Sequence, residues 1–489
     1  MTSLMDSLEG VSSEKRESTN PQEEEGKKQQ HQQVKRFCSI RYAMAIMIHC
    51  CNLIIFTQIS SLSIAIVAMV NHTSQSNQSN VSSEGYPGAT PDTAVPVYEW
   101  SPEIQGLLLS ATRYGALIST VPSGYFAGVL GGKKIAGFSM LICSILNLLI
   151  PLAADYGLPY LFVIRIVQGL LQGMNFSALS AFWPKWAPPL ERTQLSTIGI
   201  SGVTLGSFIA ILGGGFLCAS PGWPSIFYIY GGIGCVYCII WFSLAYDDPI
   251  NHPLISDSEK EYITSSMTEQ ANAPSWSLPF KAMIKTMALW AILVGNVCRF
   301  WLISNLTTSL PTLLDNMFDF NFKKNGSLSA LPLITSWVSM TLGGYIADFL
   351  LSKKILRLIT VRKLFTFLGM FFPSLFTVLI PYVDSTTAIV FLILASSMSA
   401  LCFSGFIINP LDIAPRYASF LMSLETGFML ISGLVSPVIT GYFISQDATG
   451  WKNVFFLSSA INLLGMVFYL IFGQTNIQDW AREHRITHF

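Results

Sequence analysis

Long apolar runs alternate with short polar connections over most of the chain. Each run is about 20 residues long, the length that an α-helix needs to cross the apolar core of a bilayer. The pattern therefore predicts an all-α membrane protein with twelve transmembrane helices. The runs cover approximately residues 42–69, 104–127, 135–154, 158–180, 195–218, 224–245, 288–313, 327–350, 363–382, 387–409, 417–443 and 451–473.

The longest polar stretch within this region separates the sixth run from the seventh. It spans residues 247–286 and contains DDPINHP, SDSEKEY and SSMTEQ. We interpret it as a cytoplasmic central loop that joins two six-helix halves, residues 41–246 and 287–474. Residues 1–40 are polar and rich in both signs of charge, which predicts a disordered cytoplasmic N-terminal tail. Residues 475–489 are expected to form a cytoplasmic C-terminal tail.

Composition and charge support this interpretation. Of the 489 residues, 51% are hydrophobic and 11% are charged, whereas a soluble domain has about 25% charged residues. The net charge is zero and the basic residues form no stripe, which argues against a nucleic-acid partner. The sequence contains no recognisable nucleophile–base pair, metal-ligand cluster or phosphate-binding loop, so it predicts neither an enzyme nor a bound cofactor.

Lysine and arginine are concentrated in alternate connections, and such connections face the cytoplasm in most membrane proteins. We therefore expect both termini to be cytoplasmic. Residues 71–101 contain no lysine or arginine and belong to the external side, where three sequons at Asn71, Asn77 and Asn80 predict glycosylation. The basic residues that mark the cytoplasmic side are Lys35, Arg36, Lys133, Lys134, Lys185, Arg192, Lys353, Lys354, Arg357, Arg362 and Lys363.

An internal repeat relates the two predicted halves. The segment from Gly124 to Gly128 reads GYFAG and is followed by two lysines. The segment from Gly344 to Asp348 reads GYIAD, lies 220 positions later and is also followed by two lysines. Duplicated halves are typical of secondary transporters, which bind their cargo near the membrane midplane between the halves.

These repeated segments resemble the loop motif of the major facilitator superfamily, except that Gly128 replaces the usual acidic residue. Further strings resemble solute-carrier family 17, which contains type I sodium-phosphate cotransporters, sialin and vesicular glutamate transporters. The strings are RIVQG from Arg165, KWAPPLER from Lys185, GWP from Gly222 and LDIAPRY from Leu411. The resemblance extends from about residue 37 to the C-terminus and implies the fold of that superfamily.

Five ionisable residues lie deep within apolar runs: His49, Arg113, Arg165, Arg299 and Glu425. An ionisable group costs about 2.5–3.5 kcal/mol in the centre of a membrane helix, so each requires a structural or functional reason. Three arginines against one glutamate give the interior a positive charge. Because a guanidinium binds carboxylates and phosphates through paired hydrogen bonds, this interior favours an anionic cargo.

The resemblance implies individual roles for some of these residues. Arg165 occupies a position at which the family has a cargo-facing arginine, and Arg299 resembles an arginine of the vesicular glutamate transporters; a purely structural role is the alternative for both. Arg113 either binds cargo or pairs with Glu425, and we favour the pair. For His49 we favour a hydrogen-bonded, helix-facing side chain over a proton carrier.

Two departures from the family pattern narrow the resemblance. Gln172 stands where sialin and the glutamate transporters have a glutamate, and a glutamine cannot carry a proton. Ile59 stands where many members have an arginine. Members of the sodium-phosphate branch also have a glutamine at the position of Gln172, so the sequence resembles that branch.

That branch implies transport of organic anions such as urate and aromatic carboxylates, with phosphate as a further cargo. It also implies voltage or sodium dependence, sodium remaining open as the coupling ion. We expect a protein of the apical plasma membrane that works as a monomer in the lipid bilayer. The alternative is a proton-coupled organellar exporter of acidic solutes, similar to sialin. A membrane enzyme or non-transporting receptor fits the duplicated halves less well.

Overall fold

The computed structural model describes residues 39–70, 97–219, 222–266, 278–318, 326–446 and 450–482. Within these ranges twelve helices have 15 residues or more, and we number them α1 to α12. The first half contains α1 (Ile40–Met69), α2 (Pro102–Leu130), α3 (Gly132–Tyr156), α4 (Leu158–Ser180), α5 (Arg192–Ala219) and α6 (Pro224–Leu244). The second contains α7 (Met287–Phe318), α8 (Gly326–Ser352), α9 (Leu358–Leu379), α10 (Ser385–Ser399), α11 (Ala418–Gln446) and α12 (Gly450–Phe472).

The prediction of twelve transmembrane helices in two halves is confirmed. Ten of these helices are long and apolar enough to cross a membrane by length and composition alone. The other two, α2 and α4, are the helices that carry Arg113 and Arg165. Their lower hydropathy is consistent with faces that turn toward the protein interior, where polar side chains find partners that lipid does not provide.

Single glycines make the tight turns at both ends of α3. Gly131 has φ 92° between α2 and α3, and Gly157 has φ 127° between α3 and α4. Each donates its N–H to a carbonyl of the preceding helix, Ala127 and Ala153 respectively. A side chain at a positive φ would be strained, so these glycines allow consecutive helices to reverse direction within one residue.

The tenth helix ends earlier than predicted. We expected an apolar span over residues 387–409, but α10 ends at Ser399 and a 3₁₀ turn follows over Ala400–Phe403. Carbonyls at a helix end lack partners within the helix. Two arginines of the second half occupy them: Arg299 Nε donates to Ser399 O at 3.1 Å, and Arg362 Nη1 donates to Ser404 O at 2.8 Å.

The central stretch between the halves is more ordered than a simple loop in the part that the structure describes. It contains helices at Asp257–Ser266 and Phe280–Lys285. Glu259 accepts hydrogen bonds from Arg41 N at 3.1 Å and Arg41 Nη1 at 3.0 Å, and Arg41 Nε also bonds Glu191 at 2.6 Å. The stretch is therefore fastened to the starts of α1 and α5.

Three predictions lie outside the described residues: the disordered tail, apart from its last two residues; the glycosylation of Asn71, Asn77 and Asn80; and the final part of the C-terminal tail, residues 483–489.

Candidate functional site

The two halves meet mainly along two helix pairs, α2 with α11 and α5 with α8, and α4 also contacts α11. Hydrogen bonds and ion pairs between the halves concentrate at the end of the bundle where α2 connects to α3 and α8 to α9. We call this end the gate end. Its charged residues, which we call the gate cluster, are Arg192, Asp348, Arg362 and Asp412.

Asp412 lies at the centre of the gate cluster, just before α11. Its Oδ2 accepts from Arg362 Nε at 2.8 Å, and its Oδ1 lies 3.4 Å from Arg192 Nη1. Arg362 belongs to the second half and Arg192 to the first, and all three side chains are buried. Arg192 Nη1 also donates to Leu411 O at 2.9 Å. One carboxylate thus holds an arginine from each half.

The second copy of the sequence repeat forms the crossing of α8 with α5. Gly344 lies against α5 so closely that a Cβ there would overlap the hydroxyl of Thr197. One turn later, Asp348 Oδ2 accepts from the backbone N–H of Gln194 at 2.6 Å. This carboxylate therefore sits at the N-terminus of α5, where the helix dipole favours negative charge.

The first copy forms the matching crossing of α2 with α11. Ser419 Oγ donates to Gly124 O at 3.1 Å, and a Cβ on Gly124 would lie within 2.4 Å of the Ser423 side chain. At Gly128, a Cβ would meet Ser419 Oγ at 2.8 Å. A serine hydroxyl thus occupies the space beside Gly128, the position at which the first copy lacks an acid.

Arg165 is 1% exposed and is held within the first half. Its Nη2 donates to Ile59 O at 3.0 Å and its Nη1 donates to Gln168 Oε1 at 3.1 Å, whereas its Nε has no hydrogen-bond partner within the described ranges. Ile59 is the position at which the family resemblance implied an arginine. Arg165 donates to the backbone carbonyl of Ile59, and no acidic side chain of the described residues forms an ion pair with its guanidinium.

Arg299 is 6% exposed and is held within the second half. Besides the bond from its Nε to Ser399 O, the guanidinium lies 5.0 Å above the ring of Phe403. Glu425 on α11 interacts with it electrostatically. Arg299 therefore lies where α7, α11 and the end of α10 converge.

The expected pair between Arg113 and Glu425 is wrong for this structure. Arg113 Nη1 donates to Gly433 O at 3.3 Å. Gly433 lies eight residues beyond Glu425 on α11, which is about 12 Å along a helix. Val121 is the α2 residue that faces α11 near Gly427, next to Glu425. The structure therefore places Glu425 near Arg299, while Arg113 ties α2 to α11 farther from the gate end.

His49 occupies a structural position between α1 and α5. Its Nδ1 lies 2.8 Å from Ile198 O and 3.1 Å from Ser201 Oγ. This arrangement matches the hydrogen-bonded, helix-facing side chain that we favoured over a proton carrier.

A cavity of about 810 Å³ has none of the ionisable residues described above in its lining. It is enclosed by α2, α7, α11 and the short helix Phe280–Lys285. Because its lining is almost wholly hydrophobic, it does not suit a small anion. Its lining residues are Val121, Pro122, Tyr125, Phe126, Leu278, Phe280, Met283, Ile284, Leu289, Trp290, Leu293, Phe420, Leu424 and Phe428.

Comparison with known proteins places this architecture in a family. Residues 48–424 match the Major Facilitator Superfamily. The chain belongs to the major facilitator superfamily. Among curated relatives of this transporter, it is 50% identical over 467 residues to the human "Probable small intestine urate exporter", covering 93% of this chain and 94% of the relative. It is 50% identical over 464 residues to the mouse "Sodium-dependent phosphate transport protein 3", covering 92% and 97%.

These relatives confirm the resemblance to solute-carrier family 17. The E. coli fucose:proton symporter has the same fold at 13% identity, with a TM-score of 0.61 and coverage of 89% of this chain and 100% of that one. This superfamily member is a multi-pass membrane transporter and not an enzyme. In the described part of its chain, no group of three or more His, Cys, Asp or Glu side chains is placed to hold a metal ion.

The gate cluster was not predicted as a unit from the sequence. Arg192 and Arg362 served there only as markers of orientation, and Asp412 only as part of a family string. The signal was nevertheless present, because KWAPPLER ends in Arg192 and LDIAPRY contains Asp412. An acidic and a basic residue in two such strings of opposite halves indicate a pair across the interface.

Proposed function

We propose that this transporter moves small organic anions by alternating access, with the anionic group bound by Arg165 and Arg299. The observation that supports the proposal is that each arginine is buried in a different half with hydrogen-bonding capacity left over. A guanidinium has five N–H donors. Within the described residues, the hydrogen bonds of Arg165 use two of these donors, and its Nε has no partner. An anion can accept hydrogen bonds from the remaining N–H donors of both arginines, one in each half.

The relatives favour particular cargoes. One is named a urate exporter and others are named sodium-dependent phosphate transport proteins. Urate and aromatic carboxylates are planar anions whose oxygens match the planar donors of a guanidinium. We infer that such organic anions are the main cargo, with phosphate as an additional one and sodium as the coupling ion.

The gate end supports a proposal for orientation. The basic residues of the α2–α3 and α8–α9 connections lie there, and the positive-inside rule places it in the cytoplasm. The gate cluster then closes the cytoplasmic side, so the conformation described here is closed to the cytoplasm. We propose that the protein is a monomer in the plasma membrane, apical in a polarised cell.

Alternating access requires the gate bonds to break as the bundle opens to the cytoplasm. Asp412 must release Arg192, and Asp348 must release the N-terminus of α5. A cargo shifts this equilibrium only through its difference in affinity for the two conformations. An anion that bridges Arg165 and Arg299 has such a difference in affinity, because it binds more tightly to the conformation in which α4 and α7 are drawn together around the cargo.

The proposal is tested with purified protein in proteoliposomes at imposed membrane potentials. Uptake of labelled urate, an aromatic carboxylate and phosphate is measured with and without sodium and with a proton gradient. We expect saturable uptake of at least one anion, competition among them, and no requirement for a proton gradient. Collapse of uptake on addition of a protonophore at clamped voltage would favour the sialin-like alternative. Absence of uptake for every anion would contradict the transport proposal.

A further inference from the structure

Glu425 is a buried carboxylate that the anion site does not account for. It is the only acidic residue in α11, and it is 2% exposed. Its Oε1 has no hydrogen-bond partner among the residues that the structure describes. A carboxylate oxygen that is buried without a donor loses its hydration and gains nothing in return, so it requires a compensating positive group.

A second unpartnered oxygen lies on the neighbouring helix. Asn296 on α7 donates from its Nδ2 to the backbone carbonyl of Glu425 at 3.4 Å, and its Oδ1 has no partner in the described part of the chain. Asn296 is 3% exposed. It lies one turn before Arg299 on the same helix. Two residues joined by a hydrogen bond on neighbouring helices thus each keep a buried acceptor oxygen that no donor of the described residues satisfies.

Arg299 compensates Glu425 only in part. The two interact electrostatically, but they do not form one of the close ion pairs found in the described part of the chain. Arg299 instead donates to Ser399 O and stacks on Phe403. Its charge acts on Glu425 through space and remains available to another anion.

We propose that Glu425, with Asn296, is the coupling-cation site of the transporter. In the carrier without cargo, Glu425 is the counter-charge of Arg299. When an anionic cargo binds Arg299, it takes over that role, and Glu425 is compensated by a monovalent cation. Carboxylate and amide oxygens are the ligands that hard cations such as sodium prefer, and a carboxylate also accepts a proton.

The other groups around Glu425 do not replace the cation. Arg299 faces it from α7, Cys402 lies beside Arg299 after α10, and Tyr469 of α12 interacts with it electrostatically. From α2, Tyr125 lies near this part of α11, on the wall of the apolar cavity. Arg299 is the only one of these that is cationic, and it is the group that the cargo engages.

This inference rests on the proposed binding of anions by Arg299 and predicts the net charge moved in each transport cycle. One monovalent anion and one monovalent cation cross together, so that net charge is zero. Linkage requires the coupling to be reciprocal: the cation tightens anion binding by the same factor as the anion tightens cation binding. Without the carboxylate, the anion crosses alone and its transport becomes sensitive to membrane potential.

The test compares the wild-type protein with Glu425→Gln in proteoliposomes, using labelled urate as the probe. Glu103→Gln is the matched control, because it makes the same chemical change on an exposed carboxylate of α2. Urate exchange is measured with equal urate on both sides. Net urate accumulation is measured at zero potential under an inward sodium gradient or, separately, an inward proton gradient. These two arms identify the cation.

We expect one of the two gradients to stimulate accumulation by about 5-fold or more in the wild type and in Glu103→Gln. Glu425→Gln should retain urate exchange, lose the stimulation and respond to an imposed potential. Equal gradient responses in the wild type and Glu425→Gln would overturn the inference. If the wild type exchanges urate but neither gradient drives accumulation, the inference also fails, whereas the proposed anion transport stands. Absence of urate exchange in the wild type would contradict the proposed transport of urate.

A second variant covers the case in which Glu425→Gln loses exchange as well. Glu425→Asp keeps the carboxylate at the same place in the fold, and urate binding to the purified variant is measured in sodium or choline and at two pH values. Cation-dependent affinity in the wild type and Glu425→Asp, but not in Glu425→Gln, supports the inference. Cation-independent affinity in the wild type refutes it.

Discussion

The gate cluster and the two buried arginines of α4 and α7 have different kinds of partner. At the gate, Asp412 binds arginines from both halves within 3.4 Å. In α4 and α7, Arg165 and Arg299 donate to the backbone carbonyls of Ile59 and Ser399 within their own halves. Fixed counter-charges hold a conformation together, whereas carbonyl anchors position a guanidinium and leave its charge free for a ligand.

The comparison also separates two costs of burial. Breaking a buried ion pair on one side leaves an unpaired charge, which is strongly destabilising. Arg165 donates to a carbonyl and an amide oxygen and forms no ion pair within the described residues, so its removal should affect mainly what it binds. Substitutions at the gate should therefore change stability and conformation, and substitutions of Arg165 should change cargo affinity.

The largest expected effect is that of Asp412→Ala. It leaves Arg192 and Arg362 buried without their carboxylate. Breaking a buried ion pair in this way lowers the free energy of unfolding by about 3–5 kcal/mol. We expect a lower thermal unfolding temperature of the purified protein and easier alkylation of a cysteine introduced at the gate end. Asp479→Ala is the control, because the Asp479 side chain is 96% exposed. Unchanged stability and alkylation would show that the gate cluster does not hold the halves together.

A smaller, more selective effect is expected for Arg165→Ala. Loss of a charge-assisted hydrogen bond to cargo costs about 1.5–3 kcal/mol, roughly a tenfold to hundredfold loss of affinity. Arg165→Lys keeps the charge but not the planar donors, so it should impair transport nearly as much. Surface-normalised uptake and direct binding by the purified variants measure the effect. Normal affinity in well-folded Arg165→Ala would assign Arg165 a structural role only.

Much of the fold followed from the sequence because periodicity and repeats are local signals. The twelve spans and the glycine repeat required only run lengths and spacing. The partner of Glu425 could not be predicted, because run lengths do not specify the register between α2 and α11. That register places Arg113 opposite Gly433 and leaves Glu425 beside Arg299. The early end of α10 likewise involves a residue from another helix, because Arg299 of α7 binds the carbonyl of Ser399.

The two copies of the glycine repeat offer a test at the gate itself. A Cβ at Gly344 would overlap Thr197, whereas a Cβ at Gly128 would meet only the rotatable hydroxyl of Ser419. We expect Gly344→Ala to destabilise the closed gate by about 1–3 kcal/mol through overpacking. Gly128→Ala should have a smaller effect. Thermal unfolding of the two purified variants side by side measures the difference, and equal losses would mean that the crossings adapt equally well.

The smallest effect on transport is expected from removal of the sequons, a change that decides which side of the membrane the gate faces. Asn71, Asn77 and Asn80 belong to a sequence segment without lysine or arginine, which the positive-inside rule predicts to be external. If that segment is external, at least one of the three carries a glycan, and the gate is cytoplasmic. Replacing all three with glutamine should abolish the change in gel mobility caused by glycosidase, with surface-normalised uptake unchanged, because the glycan is remote from the buried arginines. A mobility change that persists in the triple variant would move the glycan to Asn325 or reverse the orientation, and the conformation described here would then be closed to the outside.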